Sequence, residues 1–94
     1  MGGEESVWHL TRRVRLDRSP GGTGGVLLDT NSATICSANE SAMDLLDILR
    51  NGADSHSLVE KLTSDYQVSL RCAATDVDQF LHQLKSLRLI DEQD

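Results

Sequence analysis

The chain has 94 residues, which is the usual length of one globular domain and too short for two. Hydrophobic residues make up 38% of it, a composition typical of an ordinary soluble globular domain. The formal net charge of −6 argues against DNA or RNA as a partner, because non-specific binding to nucleic acid depends on neutralising phosphates with lysine and arginine.

The N-terminal part predicts a mobile segment followed by strand structure. Residues 1–6 carry no periodic apolar signal, so we expect them to be flexible. From Val7 to Leu16 apolar and polar residues alternate, which is the period of a half-buried strand. Arg12 interrupts the apolar side of this pattern. We therefore expect an arm around Trp8–Leu10 and a separate strand over about Arg12–Asp17.

A glycine-rich turn and two further strand patterns come next. Residues 18–25 hold one proline and four glycines, which predicts a flexible hairpin loop. Val26–Asp29 and Ala33–Cys36 are apolar strand patterns, and Thr30–Ser32 between them predicts a tight turn. Consecutive strands joined by short turns pair antiparallel, so we expect a three-stranded antiparallel sheet.

After Cys36 the apolar period changes from 2 to 3.6, which predicts a helix. Two start signals are present, a capping box formed by Ser37 with Glu40 and an N-cap at Asn39. The helix is expected to reach about Asn51, where Gly52 is placed to follow its last turn. Its apolar stripe consists of Ala42, Leu45, Leu46 and Leu49.

Two more helices are predicted before an acidic end. Asp54 or Ser55 caps the second helix, and Ser69 caps a third that runs to about Leu87. Strands grouped before helices indicate an α+β domain over residues 7–90, with an acidic tail over residues 91–94. The apolar stripe of the third helix consists of Leu70, Ala73, Ala74, Val77, Phe80, Leu81, Leu84 and Leu87.

These elements, in this order and spacing, resemble a known family of domains. The sequence is similar to the PqqD-like domain, also called a RiPP recognition element, from about Arg13 to Ile90. It departs from the usual pattern at Ala38, where the family usually has leucine, and at Arg88, where it often has glycine. The matching pieces are Val26–Asp29, Asn39–Ala42, Gly52, Leu58–Leu62, Tyr66–Val68, Asp76–Val77, Phe80–Leu81, Leu84 and Leu89–Ile90.

The resemblance implies a winged-helix-like fold without catalysis. In such proteins the leader of a ribosomally made precursor peptide adds as a strand to the third strand and lies in a groove against the third helix. A maturation enzyme or leader peptidase then modifies or cleaves the peptide. The sequence resembles the generic or lasso-peptide members of the family more than those that serve pyrroloquinoline quinone synthesis.

Physical chemistry supports a peptide site at one edge of the predicted sheet. The segment 33–37 is short, uncharged and free of proline, so it can pair with a guest strand. The same open edge also allows a homodimer. The alternative for the third helix is that its apolar residues are all core. The residues predicted to bind the peptide are Thr34, Ile35, Cys36 and Ser37 in the strand and Val77, Phe80, Leu81 and Leu84 in the helix.

An enzyme is not expected. The histidines His9, His56 and His82 are scattered, and neither H-x-x-x-H nor C-x-x-C spacing occurs, so we predict no metal site and no cofactor. No base is placed beside Cys36 or Cys72, which we expect to be small buried thiols. No export signal and no apolar run of the roughly twenty residues that cross a bilayer is present, so we expect a cytoplasmic protein without a membrane partner or a disulfide framework.

Two other functions are compatible with parts of the sequence. A winged-helix DNA-binding regulator would need a basic recognition helix, whereas the third helix sets Arg71 and Lys85 against Asp76 and Asp78. An acyl or peptidyl carrier protein would use the Asp-Ser pair that begins at Asp54. Carriers are all-helical, while the first third of this chain has strand periodicity.

Overall fold

A computed structural model describes residues 6–21 and 23–93 and contains five strands and three helices. The expectation of flexibility for residues 1–6 therefore falls mostly outside the described residues. The strands are β1 (Val7–Leu10), β2 (Val14–Arg18), β3 (Gly24–Asp29), β4 (Thr34–Asn39) and β5 (Ile90–Gln93). The helices are α1 (Glu40–Asn51), α2 (Ser55–Asp65) and α3 (Leu70–Ser86).

The predicted three-stranded antiparallel sheet is present, in the order β2-β3-β4. Its hairpin turn requires glycine at Gly24, whose φ is 130° and where an added Cβ would lie 2.5 Å from the Ala38 carbonyl oxygen. β4 continues three residues past the predicted end at Cys36, so the strand runs directly into α1. The sheet followed by three helices is the expected α+β fold, and it excludes the all-helical carrier architecture.

The β3–β4 turn is held by a buried carboxylate. Asp29 is 3% exposed and accepts hydrogen bonds from the Asn31 amide at 3.0 Å and the Ser32 hydroxyl at 2.9 Å. Arg13 Nε lies 3.0 Å from the same carboxylate. Burial alone would raise the pKa of Asp29, but these two hydrogen bonds and the Arg13 charge together lower it. The turn thereby fixes where β4 begins.

A second, two-stranded sheet joins β1 to β5 and corrects the expectation of a separate acidic tail. β5 pairs antiparallel with β1, with Trp8 opposite Glu92 and His9 opposite Asp91. Trp8 also exchanges two backbone hydrogen bonds with Ala53, and Lys85 Nζ lies 4.9 Å above its ring centre. Backbone pairing holds the acidic residues in the fold, and hydrophobic periodicity does not report such pairing.

Each helix begins at a side-chain cap that the sequence suggests. Asn39 accepts from the Ala42 amide at 2.9 Å, so Asn39 rather than the Ser37–Glu40 capping box starts α1. Asp54, rather than Ser55, caps α2 through the Ser57 amide at 2.8 Å. Ser69 caps α3, as predicted.

The core lies between the inner face of the three-stranded sheet and the helices. α1 contacts all three strands of this sheet, and α2 and α3 pack on each other. Cys36 is half-buried, whereas Cys72 is exposed on α3, which corrects the expectation that both thiols are buried. The fully buried larger side chains are Met43, Leu46, Leu49, Leu58, Val77 and Leu89.

Candidate peptide-binding site

β4 is an edge strand, which leaves one side of its backbone open. It pairs with β3 on one side, and no described strand pairs with it on the other. Its six residues include no proline and no charged side chain, which are the usual means of blocking an edge. The edge is therefore competent to accept another strand.

Two hydrogen bonds at the ends of the β2–β3 pair determine which groups of β4 face outward. The Ser19 amide donates to the Gly24 carbonyl at 2.7 Å, and the Thr30 amide donates to the Arg13 carbonyl at 3.0 Å. In an antiparallel pair, hydrogen-bonded and non-hydrogen-bonded positions alternate. Even-numbered residues of β3 therefore bond to β2, and odd-numbered residues bond to β4.

The register of the sheet shows which backbone groups of β4 point towards β3 and which point away from it. Leu27 lies opposite Cys36, so the N–H and C=O of Cys36 point towards β3. The N–H and C=O groups of Ile35 and Ser37 consequently point to the open edge. A guest strand would form its hydrogen bonds with these two residues.

The side chains of β4 alternate between a groove face and a solvent face. Thr34, Cys36 and Ala38 are half-buried on the face towards the helices. Ile35 and Ser37 face solvent, and Ile35 is 64% exposed. Every second residue of a guest strand would accordingly face the helices.

A cavity of about 230 Å³ separates β4 from α3 on the helix face. It opens beside the free edge, and its walls are mostly apolar. Such a surface can take the side chains of an extended peptide that face the helices. It is lined by Leu27, Cys36, Ser37, Ala38, Asn39, Ala42, Leu46, Phe80, Gln83, Leu84, Leu87 and Leu89.

The structure brings together part of the predicted set around this cavity. Cys36 and Ser37 line it from β4, and Phe80 and Leu84 line it from α3. Thr34 lies at the start of the strand and Ile35 on the solvent face.

The other two predicted helix residues lie elsewhere. Val77 is 1% exposed and belongs to the core. Leu81, at 7%, lines a separate depression on the side of α3 that holds Trp8. Both support the α3 wall from within the protein.

Several lining residues were not predicted. Ala38 and Asn39 lie past the predicted end of the strand, although the alternation of half-buried and exposed positions continues through them. Ala42 belongs to the predicted apolar stripe of α1 and is not among the residues predicted to bind the peptide. Gln83 is polar and falls outside the stripe of α3, so apolar periodicity gives no signal for it.

A second cavity, of about 560 Å³, continues the first beyond the end of β4. Asn39, Ala42 and Phe80 line both cavities, so the two cavities are adjacent. The remaining lining residues of the second cavity are Glu40, Ser41, Leu45, Leu62, Tyr66, Val68 and Asp76.

A network of charged and polar groups holds one wall of this second cavity. The Tyr66 hydroxyl donates to the Asp44 carboxylate, which also accepts from the Arg18 guanidinium at 3.0 Å. Arg18 forms a further ion pair with Asp47. The hydrogen bond to Asp44 is the main reason that the pKa of Tyr66 is raised to about 12.

Comparison with known proteins places this geometry in a family. The sequence model of a family described as "Coenzyme PQQ synthesis protein D (PqqD)" matches residues 24–90. The chain belongs to the PqqD family. The match covers both strands of the β3–β4 hairpin and all three helices, the elements that form the groove of this PqqD-family chain.

Two solved structures share the fold. One is described as "TbiB1 in Complex with the TbiA(beta) Leader Peptide"; it is 17% identical with a TM-score of 0.78, over 92% of this chain and 98% of that one. The other is "Lasso peptide synthetase B1 complexed with the leader peptide", 24% identical with a TM-score of 0.74, over 89% and 96%. No curated protein matches this chain.

Residues 6–21 and 23–93 lack two features. No helix there combines the length and apolar character that crossing a membrane requires. The same residues hold no cluster of three or more His, Cys, Asp or Glu side chains able to bind a metal ion.

Proposed function

We propose that this PqqD-family chain is a non-catalytic peptide-binding protein of the cytoplasm. It captures the leader of a ribosomally made precursor peptide by strand addition to β4 and delivers the peptide to a modifying enzyme or leader peptidase. The observation that carries this proposal is the open backbone edge of β4 beside the groove between β4 and α3. An enzyme requires reactive groups brought together, whereas this site offers backbone groups and apolar walls.

Backbone pairing supplies affinity without sequence selection. Ile35 and Ser37 together offer two N–H and two C=O groups, and each hydrogen bond formed there contributes about 0.5–1.5 kcal/mol net. Any extended peptide can make these bonds. Selection must therefore come from the side chains of the guest.

The groove supplies that selection. The site comprises the strand residues Thr34, Ile35, Cys36 and Ser37 and the helix residues Phe80 and Leu84, with Val77 and Leu81 behind them. A guest residue opposite Cys36 faces the cavity of about 230 Å³. Burying one large apolar side chain there contributes about 1.5–3 kcal/mol. Two or three such positions are enough to distinguish one leader from another.

The solved structures support a peptide ligand and, more specifically, a lasso-type pathway. Both are described as complexes with a leader peptide, and one of the proteins is described as a lasso peptide synthetase. We propose the same class of ligand for this chain, with the enzyme that acts on the leader as its second partner. In the absence of peptide, the open edge of β4 is also the surface through which two copies would pair.

The test is a peptide titration followed by NMR. Random 16-residue peptides are selected by display against the immobilised protein, and the most enriched peptide is added to the ¹⁵N-labelled chain. We expect amide shifts in β4 and on the groove face of α3. Shifts confined to β2, or to the two-stranded sheet of β1 and β5, would show a different binding surface and contradict the proposal.

A further inference from the structure

The larger cavity has a chemical character distinct from the groove that it continues. Asn39, the last residue of β4, and Glu40, the first residue of α1, line it, so it lies beside the end of β4 towards which a strand paired with Ile35 and Ser37 would extend. The apolar residues of its lining are Ala42, Leu45, Leu62, Val68 and Phe80. Among the residues that the structure describes, no lysine, arginine or histidine lines it.

Two carboxylates stand at this cavity on separate elements. Glu40 is the first residue of α1, and Asp76 lies in α3. Both side chains are exposed, and neither forms an ion pair within the part of the chain that the structure describes. No described basic side chain therefore pairs with either carboxylate.

We propose that this cavity binds a lysine or arginine side chain of the captured peptide. The aliphatic stem would lie on the apolar lining, and the cation would lie between Glu40 and Asp76. This inference rests on the proposed strand addition at β4. The occupant is cationic because a purely apolar side chain would desolvate the two carboxylates without a partner, and an acidic one would be repelled.

The direction of the guest strand gives the position of this basic residue. Antiparallel addition continues the pairing of the whole sheet and is slightly more stable per residue than parallel addition. The N-terminal side of the guest then lies at the Asn39 end of β4. At roughly 3.3 Å per residue, the basic residue precedes the paired segment by about two to four positions.

The experiment is a comparison of peptide selections. The same random 16-residue display library is selected on the wild-type chain, on E40Q/D76N, and on D78N/D91N as a control with an equal change in charge. Asp78 lies two residues from Asp76 but outside the larger cavity, and Asp91 lies on β5. All four carboxylates are exposed, so the core is unchanged in either variant.

We expect lysine or arginine to be enriched at one fixed spacing before the apolar positions with the wild type and with D78N/D91N, and not with E40Q/D76N. For the best wild-type peptide, each neutralised carboxylate is expected to weaken binding roughly two- to fivefold, and replacing the basic residue by methionine should remove most of this difference. Added salt should also reduce it.

The outcomes separate the two proposals. If peptides that shift β4 amides show no basic residue at fixed spacing, or if the enrichment persists with E40Q/D76N, the inference is overturned and strand addition stands. If no peptide is enriched, or if binding leaves β4 unperturbed, the proposed function fails and the inference fails with it.

Discussion

The Tyr66 hydroxyl donates a hydrogen bond to the Asp44 carboxylate across 2.6 Å, although the two residues are 22 positions apart in the chain. This bond joins α1 to the connection between α2 and α3. Because Asp44 also binds Arg18 of β2, one carboxylate links three parts of the fold. Tyr66 lines the larger cavity, so the bond also holds that wall in place.

The titration of Tyr66 reports this bond directly. Tyr66 is the only tyrosine in the chain, and its pKa is raised from 10.0 to about 12, first by the hydrogen bond to Asp44. Since the folded pKa exceeds the unfolded value, the stabilisation is fully present below pH 10 and is lost as the pH rises through 12. Ultraviolet absorbance of the phenolate should show ionisation near pH 12. In D44N the midpoint should move back towards pH 10, and an unchanged midpoint would contradict the assignment.

Acid should destabilise the protein through three aspartates. The pKa of Asp29, Asp44 and Asp54 is lowered in the fold. Their contribution is therefore present above the ordinary value of 3.8 and is lost as the pH falls through the folded values. We expect the urea concentration at the unfolding midpoint to decrease as the pH is lowered from about 5 to about 3, because such carboxylates become protonated over this range.

The helix cap at Asp54 allows a matched test of this acid effect. D54S keeps an oxygen acceptor for the Ser57 amide but cannot ionise, so its urea midpoint should depend less on acid than that of the wild type. D54A loses the cap at every pH and should cost about 1 kcal/mol. If D54S is as acid-sensitive as the wild type, Asp54 does not contribute.

Proline at position 37 should block peptide binding without unfolding the sheet. The Ser37 N–H points to the open edge, so S37P removes a donor that only a guest strand would use. We expect the affinity for a selected peptide to fall about tenfold or more, measured by fluorescence anisotropy. S37A keeps the N–H and should bind like the wild type. Equal losses in both variants would assign the effect to the hydroxyl.

Phe80 and Val77 should separate binding from stability on the same helix. Phe80 is half-buried at both cavities, so F80A should weaken peptide binding about tenfold or more. Val77 is in the core, and V77A should instead lower the free energy of unfolding by about 1.5–3 kcal/mol. Peptide titrations and urea unfolding of both variants make the comparison. The reverse pattern would place the groove on the other side of α3.

The turn that follows α3 contains a strained residue that glycine would relieve. Arg88 has φ of 59°, in the left-handed region, and its carbonyl oxygen accepts from the Arg13 side chain at 2.6 Å. R88G should stabilise the protein by about 0.5–1 kcal/mol in thermal unfolding. R88A keeps the strain and should bring no gain. A gain in R88A of the same size would point to the arginine side chain instead.

Much of the fold follows from local patterns in the sequence. At each of the three helix starts, a side-chain oxygen accepts a hydrogen bond from a backbone amide. Asn39 and Ser69 can be predicted as caps because their residue types readily form such local bonds. The β3–β4 hairpin follows from two apolar strand patterns separated by the turn residues Thr30–Ser32. These signals act over a few residues, so they are visible without tertiary structure. The two-stranded sheet of β1 and β5 joins residues 80 to 86 positions apart in the chain and has no such signal.

The division of α3 between core and groove depends on packing that the sequence does not encode locally. Val77 and Leu81 face the interior, while Phe80 and Leu84 also reach the groove. All four belong to one stripe, and its orientation is set by contacts with α2 and β5. The expectation that Cys72 is buried failed for the same reason, because a small apolar residue near a helix start can face either way.

The alternation of β4 has a consequence for how a precursor peptide can vary. The groove would select the side chains of the bound segment that face the helices. The residues between them, beside Ile35 and Ser37, would project on the far side of the sheet. The sequence of a leader could therefore change at every second residue without loss of binding. Those residues, which the groove does not select, would be available for recognition by the enzyme that acts next.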